Sequence, residues 1–227
     1  MALQPEGTAL LEQLQAIPFF SGLDKGILRE LAQGAFWREY ESGEVVFLEG
    51  ERPVGLYYLQ RGWLKISKSS PQGREQILQF LEPGAAFNAV GLFANQPNPA
   101  TAIALEPAGV WILRRDAVMA LLRRRPELAQ HVVERMAARI LELVDLVGDL
   151  SFRTVSQRLA RLLLADAAGD TLHRPGWYTQ AEIAARLGTV PDVIQRALSS
   201  LAAEGVVAVE RDAIVIRDRE ALARLAA

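Results

Sequence analysis

The hydrophobic pattern changes period along the chain. Between about Glu39 and Leu113 apolar residues come in short runs, "EVVFLE", "GLYYLQ", "GWLKISKS", "EQILQFL" and "GVWILR", rich in β-branched and aromatic side chains and separated by turns at Gly43, Gly50, Gly62, Gly73 and Gly84. Short strands at this spacing predict an antiparallel barrel or roll. Ahead of them, Thr8 to Leu31 carries apolar residues at helical spacing, broken at "IPFFSGLD", where Ser21 or Asp24 can cap a second short helix.

From Pro126 the period becomes helical. In "PELAQHVVERMAARILELVDLVGDLSF" the residues Val133, Met136, Ile140, Leu143, Val147 and Leu150 form an unbroken heptad stripe. Val133, Ile140 and Val147 put a β-branched side chain at every a position, which favours a parallel two-stranded coiled coil. The helix is therefore expected to pair two copies of the chain. The alternative is one helix packed on its own barrel.

After "VGDLSF" a second unit begins. Thr154 is placed to cap a helix through "VSQRLARLLLADA", with Gly169 to end it, and a short extended stretch with "RPGWY" follows. Thr179 caps "QAEIAARL", whose Ile183 and Leu187 share a face; Gly188 suits the left-handed residue that ends a helix, and Pro191 suits the first position of the next. In that next helix Ile194, Ala197, Leu198 and Leu201 face one way, while Asp192, Gln195, Arg196 and Ser199 lie together on the other. The last segment, "VVAVERDAIVIRD", reads as a hairpin turning near Arg211 and Asp212. This order describes a winged helix-turn-helix.

The outward face of the helix from Pro191 holds side chains able to bond base edges in a major groove. Arg196 can engage guanine N7 and O6 together, Asp192 can accept from a cytosine amino group, and Gln195 can pair with adenine. A solvated face would use similar residues, and it is the short turn and the hairpin that favour base reading.

Charge tempers that picture. The net charge is −2 and the sequence pI about 5.8, so nothing in the overall balance points to nucleic acid. From Thr154 onward Arg158, Arg161, Arg174, Arg186, Arg196, Arg211, Arg217, Arg219 and Arg224 are matched by Asp166, Asp170, Glu182, Asp192, Glu204, Glu210, Asp212, Asp218 and Glu220. A neutral module releases few counterions, so specific binding is expected to depend on two copies engaging two half-sites together.

Other chemistries are excluded in turn. The chain has no cysteine, which removes disulfides, thiolate zinc, cysteine-ligated iron–sulfur clusters and thiol redox sensing. Its two histidines, His131 and His173, lie outside the strand-rich region, so a cupin-like metal enzyme lacks its ligands. No G-x-x-x-x-G-K or G-x-S-x-G motif occurs. No catalytic residue and no metal site is expected, and a scaffold that does not bind DNA is a nearer alternative than an enzyme. No apolar run is long enough to span a bilayer and the start "MALQPEGTALLEQLQ" has no secretion signal, so the expected location is the cytoplasm.

The order of parts and their motifs resemble the cyclic-AMP receptor / fumarate-nitrate regulator (CRP/FNR) family of bacterial transcription factors. The resemblance covers nearly the whole chain: "IPFFSGL", the roll signatures "SGEVVFLEGE" and "LYYLQRGWLKI", the "PG" before "AAFNAVGLF", the long helix, "VSQRLARLLL", and T-x-x-E-I-A-x-x-L-G leading to V-I-Q-R-A-L-S-S-L. It implies an α+β fold: a cyclic-nucleotide-binding-like β-roll with flanking helices over residues 1–125, a dimerisation helix and hinge over 126–150, and a winged helix-turn-helix over 151–227. By resemblance Arg196 is the recognition-helix arginine, Asp192 stands where glutamate is common, and Thr179 and Gln180 match positions that often meet the DNA backbone. Pro191 replaces a frequent DNA-contacting arginine and Val190 the usual Ser or Thr cap.

The same resemblance locates an effector pocket. Cyclic-AMP binders of the family carry Gly-Glu and Arg-Ser pairs where this chain has Asn88-Ala89 and about Asn98-Pro99, and they bond adenine from positions that are Leu143 and Val144 here. A phosphate deprived of its arginine loses several kcal/mol, on the order of a broken buried ion pair. No cofactor and no cyclic-AMP response are therefore expected. Two readings stay open: Phe87, Val90, Leu92, Leu143 and Val144 pack the pocket shut, or they line an apolar effector site. A haem- or nitric-oxide-sensing branch is a further alternative, since "F-N-A-V-G-L-F…P-N-P-A-T-A" is loosely similar to denitrification regulators; His131 falls at an outward f position, against haem ligation. The expected partners are double-stranded DNA, a second copy and RNA polymerase, with activation the commoner family behaviour.

Overall fold

The computed structural model describes residues 24–227. The part of the helically spaced segment from Thr8 to Leu23, with the Ser21 cap, lies outside them. The chain divides into two compact units, one comprising the chain up to Lys68 together with Leu78–Leu141, the other Ser69–Ile77 with Glu142–Ala227.

In the first unit, helix α1 (Lys25–Gln33) is capped by Asp24, whose Oδ1 accepts from Gly26 N at 2.7 Å. Eight strands follow: β1 (Ala35–Tyr40), β2 (Val45–Phe47), β3 (Gly55–Arg61), β4 (Leu64–Ser69), β5 (Glu75–Leu81), β6 (Ala86–Phe87), β7 (Thr101–Ala104) and β8 (Ala108–Arg114). They form two four-stranded sheets, in the orders β1-β8-β3-β6 and β2-β7-β4-β5. Side-chain alternation divides two cores. Tyr57 and Leu59 of β3 and Val110 and Ile112 of β8 face inward, onto Phe47, Leu64, Leu81 and Phe87. Their neighbours Leu56, Tyr58, Trp111 and Leu113 face outward, onto helices. Burial on both faces is why "LYYL" and "VWIL" are unbroken apolar runs. The tight turn after β3 needs glycine: Gly62 has φ +82°, and a Cβ there would stand 2.6 Å from Pro107 O.

Four helices cover that outer face, α1 contributing Ile27, Leu28 and Leu31. Helix α2 (Ala89–Ala94) contributes Leu92, α3 (Arg115–Arg124) contributes Val118 and Leu121, and the start of α4 (Pro126–Phe152) contributes Leu128 and Val132. Asp116 in the first turn of α3 and Arg123 and Arg124 in its last complement the helix dipole.

Helix α4 is continuous through "GDLSF" to Phe152. The break comes at Arg153 and Thr154, because Thr154 leaves helical geometry to cap the next helix with ψ 161°. It forms a full capping box with Gln157: Gln157 N donates to Thr154 Oγ1 at 3.3 Å, and Thr154 N to Gln157 Oε1 at 2.9 Å. Asp149 ties the bend by accepting from Nε of Arg153 at 2.9 Å and Nε of Arg161 at 3.2 Å.

Helix α5 (Val155–Asp166) ends three residues before Gly169, which serves instead, at φ +64°, in the turn leading to β9 (Thr171–His173). Helices α6 (Gln180–Arg186) and α7 (Pro191–Ala203), the hairpin of β10 (Val207–Val209) and β11 (Ala213–Ile216), and α8 (Arg219–Ala226) complete the unit. Its three strands pair in the order β10-β11-β9.

Candidate nucleic-acid interface

The face singled out in the sequence is built by two helices and the turn between them. Thr179 caps α6 through Oγ1, which accepts from Glu182 N at 3.3 Å. Ile183 and Ala184 of α6 and Leu187 at its C-terminal cap are buried, as are Ile194, Leu198 and Leu201 of α7. Thr189 N closes the turn onto Ala184 O at 2.9 Å, and Gly188 takes the left-handed conformation at φ +64°. Pro191 occupies the first turn of α7, and Val190 ahead of it supplies no side-chain cap.

This packing sends Asp192, Gln195, Arg196 and Ser199 to solvent. Arg196 donates from Nε to Asp192 O at 3.3 Å, which leaves its two terminal nitrogens as the fork a guanine edge needs. Asp192 sits in the first turn of α7, where a carboxylate also complements the helix dipole. Gln180 Nε2 donates to Gln195 Oε1 at 2.6 Å, and Gln195 Nε2 donates to Ser199 Oγ at 3.3 Å. Gln180, Gln195 and Ser199 thus share one hydrogen-bonded set of side chains, while Arg196 bonds the backbone carbonyl of Asp192. The bond between Gln180 and Gln195 has no signature in the sequence, since it depends on how two helices cross.

Many arginines of the winged unit are already engaged. Arg186 pairs with Asp166, Arg219 with Asp170 at 2.9 Å and Arg161 with Asp149. Arg174 donates to the carbonyls of Glu210 and Arg211 at 3.0 and 3.1 Å, bracing the wing. Arg211 itself is exposed at the wing turn.

Of the stripe along α4, Val133, Ile140 and Val147 are 66, 60 and 62 % exposed, with Leu143 and Leu150 each 36 %. Met136 departs from the rest: it is half-buried against the roll's outer core, because it lies one turn beyond Val132 on the side that Leu128 and Val132 anchor. Leu141 and Val144 add exposed apolar surface beside the stripe.

The pocket candidates fall into different surroundings. Phe87 is buried in an aromatic cluster, with ring centroids 6.1 Å from Phe47 and 5.2 Å from Tyr57. Leu92 is buried in the outer core instead, and Val90, Leu143 and Val144 are exposed. Asn88 is left-handed at φ 65° and donates Nδ2 to Gly55 O at 3.4 Å; Ala89 opens α2. Asn98 is buried, donates Nδ2 to Leu48 O at 3.3 Å, and has no partner for Oδ1 among the described residues. The Asn88 and Asn98 side-chain oxygens flank Gly91 so closely that a Cβ there would meet them at 3.1 and 3.0 Å. His131, expected to point outward, is half-buried beside Val132, while His173 is exposed. No cluster of metal-binding side chains occurs among the described residues, and no helix there is long and apolar enough to cross a membrane.

Two family models match the chain in succession: a cyclic nucleotide-binding domain over residues 37–125 and a Crp-like helix-turn-helix domain over residues 157–225. The chain is 30 % identical over 220 residues to the cyclic AMP receptor protein of Thermus thermophilus, covering 94 % of this chain and 98 % of that one. It is 28 % identical over 221 residues to the CRP-like cAMP-activated global transcriptional regulator of Mycobacterium tuberculosis, covering 95 and 99 %. The structure of FixK2 from Bradyrhizobium japonicum shares the fold, with a TM-score of 0.75 at 24 % identity, over 85 % of this chain and 98 % of that one.

Proposed function

We propose a mechanism for this chain, which belongs to the CRP/FNR family of DNA-binding transcriptional regulators: two copies pair along α4 and present two winged helices to adjacent major grooves. The family consists of regulators, not enzymes. The observation that carries the dimer is the exposed β-branched line of Val133, Ile140 and Val147, since contiguous apolar surface of this kind is seldom left to water. Two-fold symmetry then requires an inverted-repeat operator with half-sites roughly 34 Å apart. Arg196 supplies guanine discrimination of about 1–3 kcal/mol, so Arg196→Ala both weakens and relaxes recognition. Retention of full specificity by that variant would refute the assignment. By family analogy the bound dimer activates through RNA polymerase; a transcription assay with the operator placed upstream or across the promoter distinguishes activation from repression.

The regulator works without cyclic AMP, although the two relatives above are cyclic-AMP proteins by name. What supports this is chemistry at the corresponding segment: from Asn88 to Thr101 there is no Lys, Arg, Asp or Glu. Ala89 brings no carboxylate for a ribose and Pro99 no guanidinium for a phosphate. Lys68, which donates to Pro99 O at 2.9 Å, is paired with Glu49 at 2.6 Å. A cyclic nucleotide therefore does not fit the residues present. The Phe47, Tyr57 and Phe87 rings fill the interior beside it, which favours a closed roll. Titration calorimetry with cyclic AMP is expected to give no heat of binding; low-micromolar affinity would overturn this reading.

A further inference from the structure

The two glutamines of the recognition face are bonded to each other across the helix-turn-helix. Gln180, first residue of α6, donates Nε2 to Oε1 of Gln195 at 2.6 Å. Gln195 directs its own Nε2 to Ser199 Oγ, one turn along α7, at 3.3 Å. Its amide is thus held at both ends, oxygen toward the first helix and nitrogen along the second.

A solvated glutamine has no such polarity, because its terminal torsion is broad and nearly two-fold, and either order of oxygen and nitrogen can face a base. Ser199 cannot set the order, since a hydroxyl both donates and accepts and serves an amide turned either way. Gln180 can. At the first position of a helix, unpaired backbone N–H groups favour its oxygen turned inward and its amino group turned out as a donor. We propose that Gln180 is a positioning residue for base reading: it fixes the donor and acceptor order of the Gln195 amide, and so decides which base edge Gln195 accepts. This rests on the reading that the face meets DNA, and it gives Gln180 a part in specificity beyond a backbone contact.

The test is selection of bound duplexes from a random pool by the full-length wild type, Gln195→Ala, Gln180→Leu and Gln180→Lys. Gln195→Ala identifies the base pair that Gln195 reads. At that pair Gln180→Leu is expected to lower base preference about tenfold, leaving the guanine read by Arg196 unchanged. Gln180→Lys, which can only donate, is expected to retain the preference. A Gln180→Leu variant that binds all sequences equally more weakly, with its preference intact, would show a backbone contact alone and overturn the proposal. Loss of preference in Gln180→Lys as well would do the same. If the wild type enriches no site, the DNA-reading proposal falls first and this inference falls with it.

Discussion

Arg186 grips Asp166 with both terminal guanidinium nitrogens, Nη2 donating to Oδ1 at 3.2 Å and Nη1 to Oδ2, and Nη1 also donates to the Tyr178 hydroxyl at 3.2 Å. The pair fastens the end of α5 to the end of α6, so it holds the first helix of the reading module in place. Both side chains are largely shielded, which puts the bond between an exposed pair worth under about 1 kcal/mol and a buried one whose rupture costs about 3–5. Asp166→Ala is therefore expected to destabilise the protein by roughly 2 kcal/mol, read from the midpoint of urea unfolding. An unchanged midpoint would show the pair to be incidental.

Alkaline pH should loosen both units. Burial pushes the Tyr178 hydroxyl up to about 12, and Tyr57 inside the roll likewise to about 12. The folded chain keeps these protons where the unfolded chain, with a tyrosine pKa of about 10, gives them up. Stability is thus intact below pH about 10 and falls as pH rises toward about 12, by an order of 3 kcal/mol for each group. Urea titrations across that range should show a smaller loss for Tyr178→Phe than for the wild type.

The exposed line on α4 predicts the assembly state. Ile140→Asp sets a carboxylate against its symmetry mate in the middle of the stripe, where burial of an unpaired charge is prohibitive. Sedimentation velocity should find a dimer for the wild type and a monomer for the variant, with far-ultraviolet circular dichroism largely preserved. Met136→Ala, by contrast, should cost about 2–3 kcal/mol of stability without dissociating the dimer, since Met136 packs on its own roll.

Arg211 is exposed at the wing turn, a place suited to meeting a DNA phosphate. Arg211→Ala should weaken binding to every sequence alike and reduce the slope of log affinity against log salt by about 1. A change in base preference would contradict that role.

The helix-turn-helix was legible because its signals are local. Thr154, Thr179, Gly188 and Pro191 each occupy the cap or turn position that their chemistry suggests. Strands flanked by glycine turns were legible for the same reason. Strand β1 was missed because "AFWREY" shows no clean alternation, with Phe36 40 % exposed and Trp37 half-buried. Strand β7 is alanine-rich and β6 only two residues long, and both exist because neighbouring strands pair with them. The end of α5 was misplaced because Gly169 serves a later turn, and α4 runs on through "GDLSF" because Gly148 costs only about 1 kcal/mol inside a long helix. Met136 and the Gln180–Gln195 bond lay beyond sequence reading, since both depend on the packing of elements distant in the chain.

The most direct test of the account is selection of bound duplexes from a random pool by purified wild-type protein, with no small molecule added and carried-over ligand excluded. The account predicts enrichment of a two-fold symmetric site with half-sites about one helical turn apart and a guanine dependent on Arg196. Enrichment only after cyclic AMP is supplied would contradict the nucleotide-independent mechanism, and failure to enrich any symmetric site would contradict the dimeric reader itself.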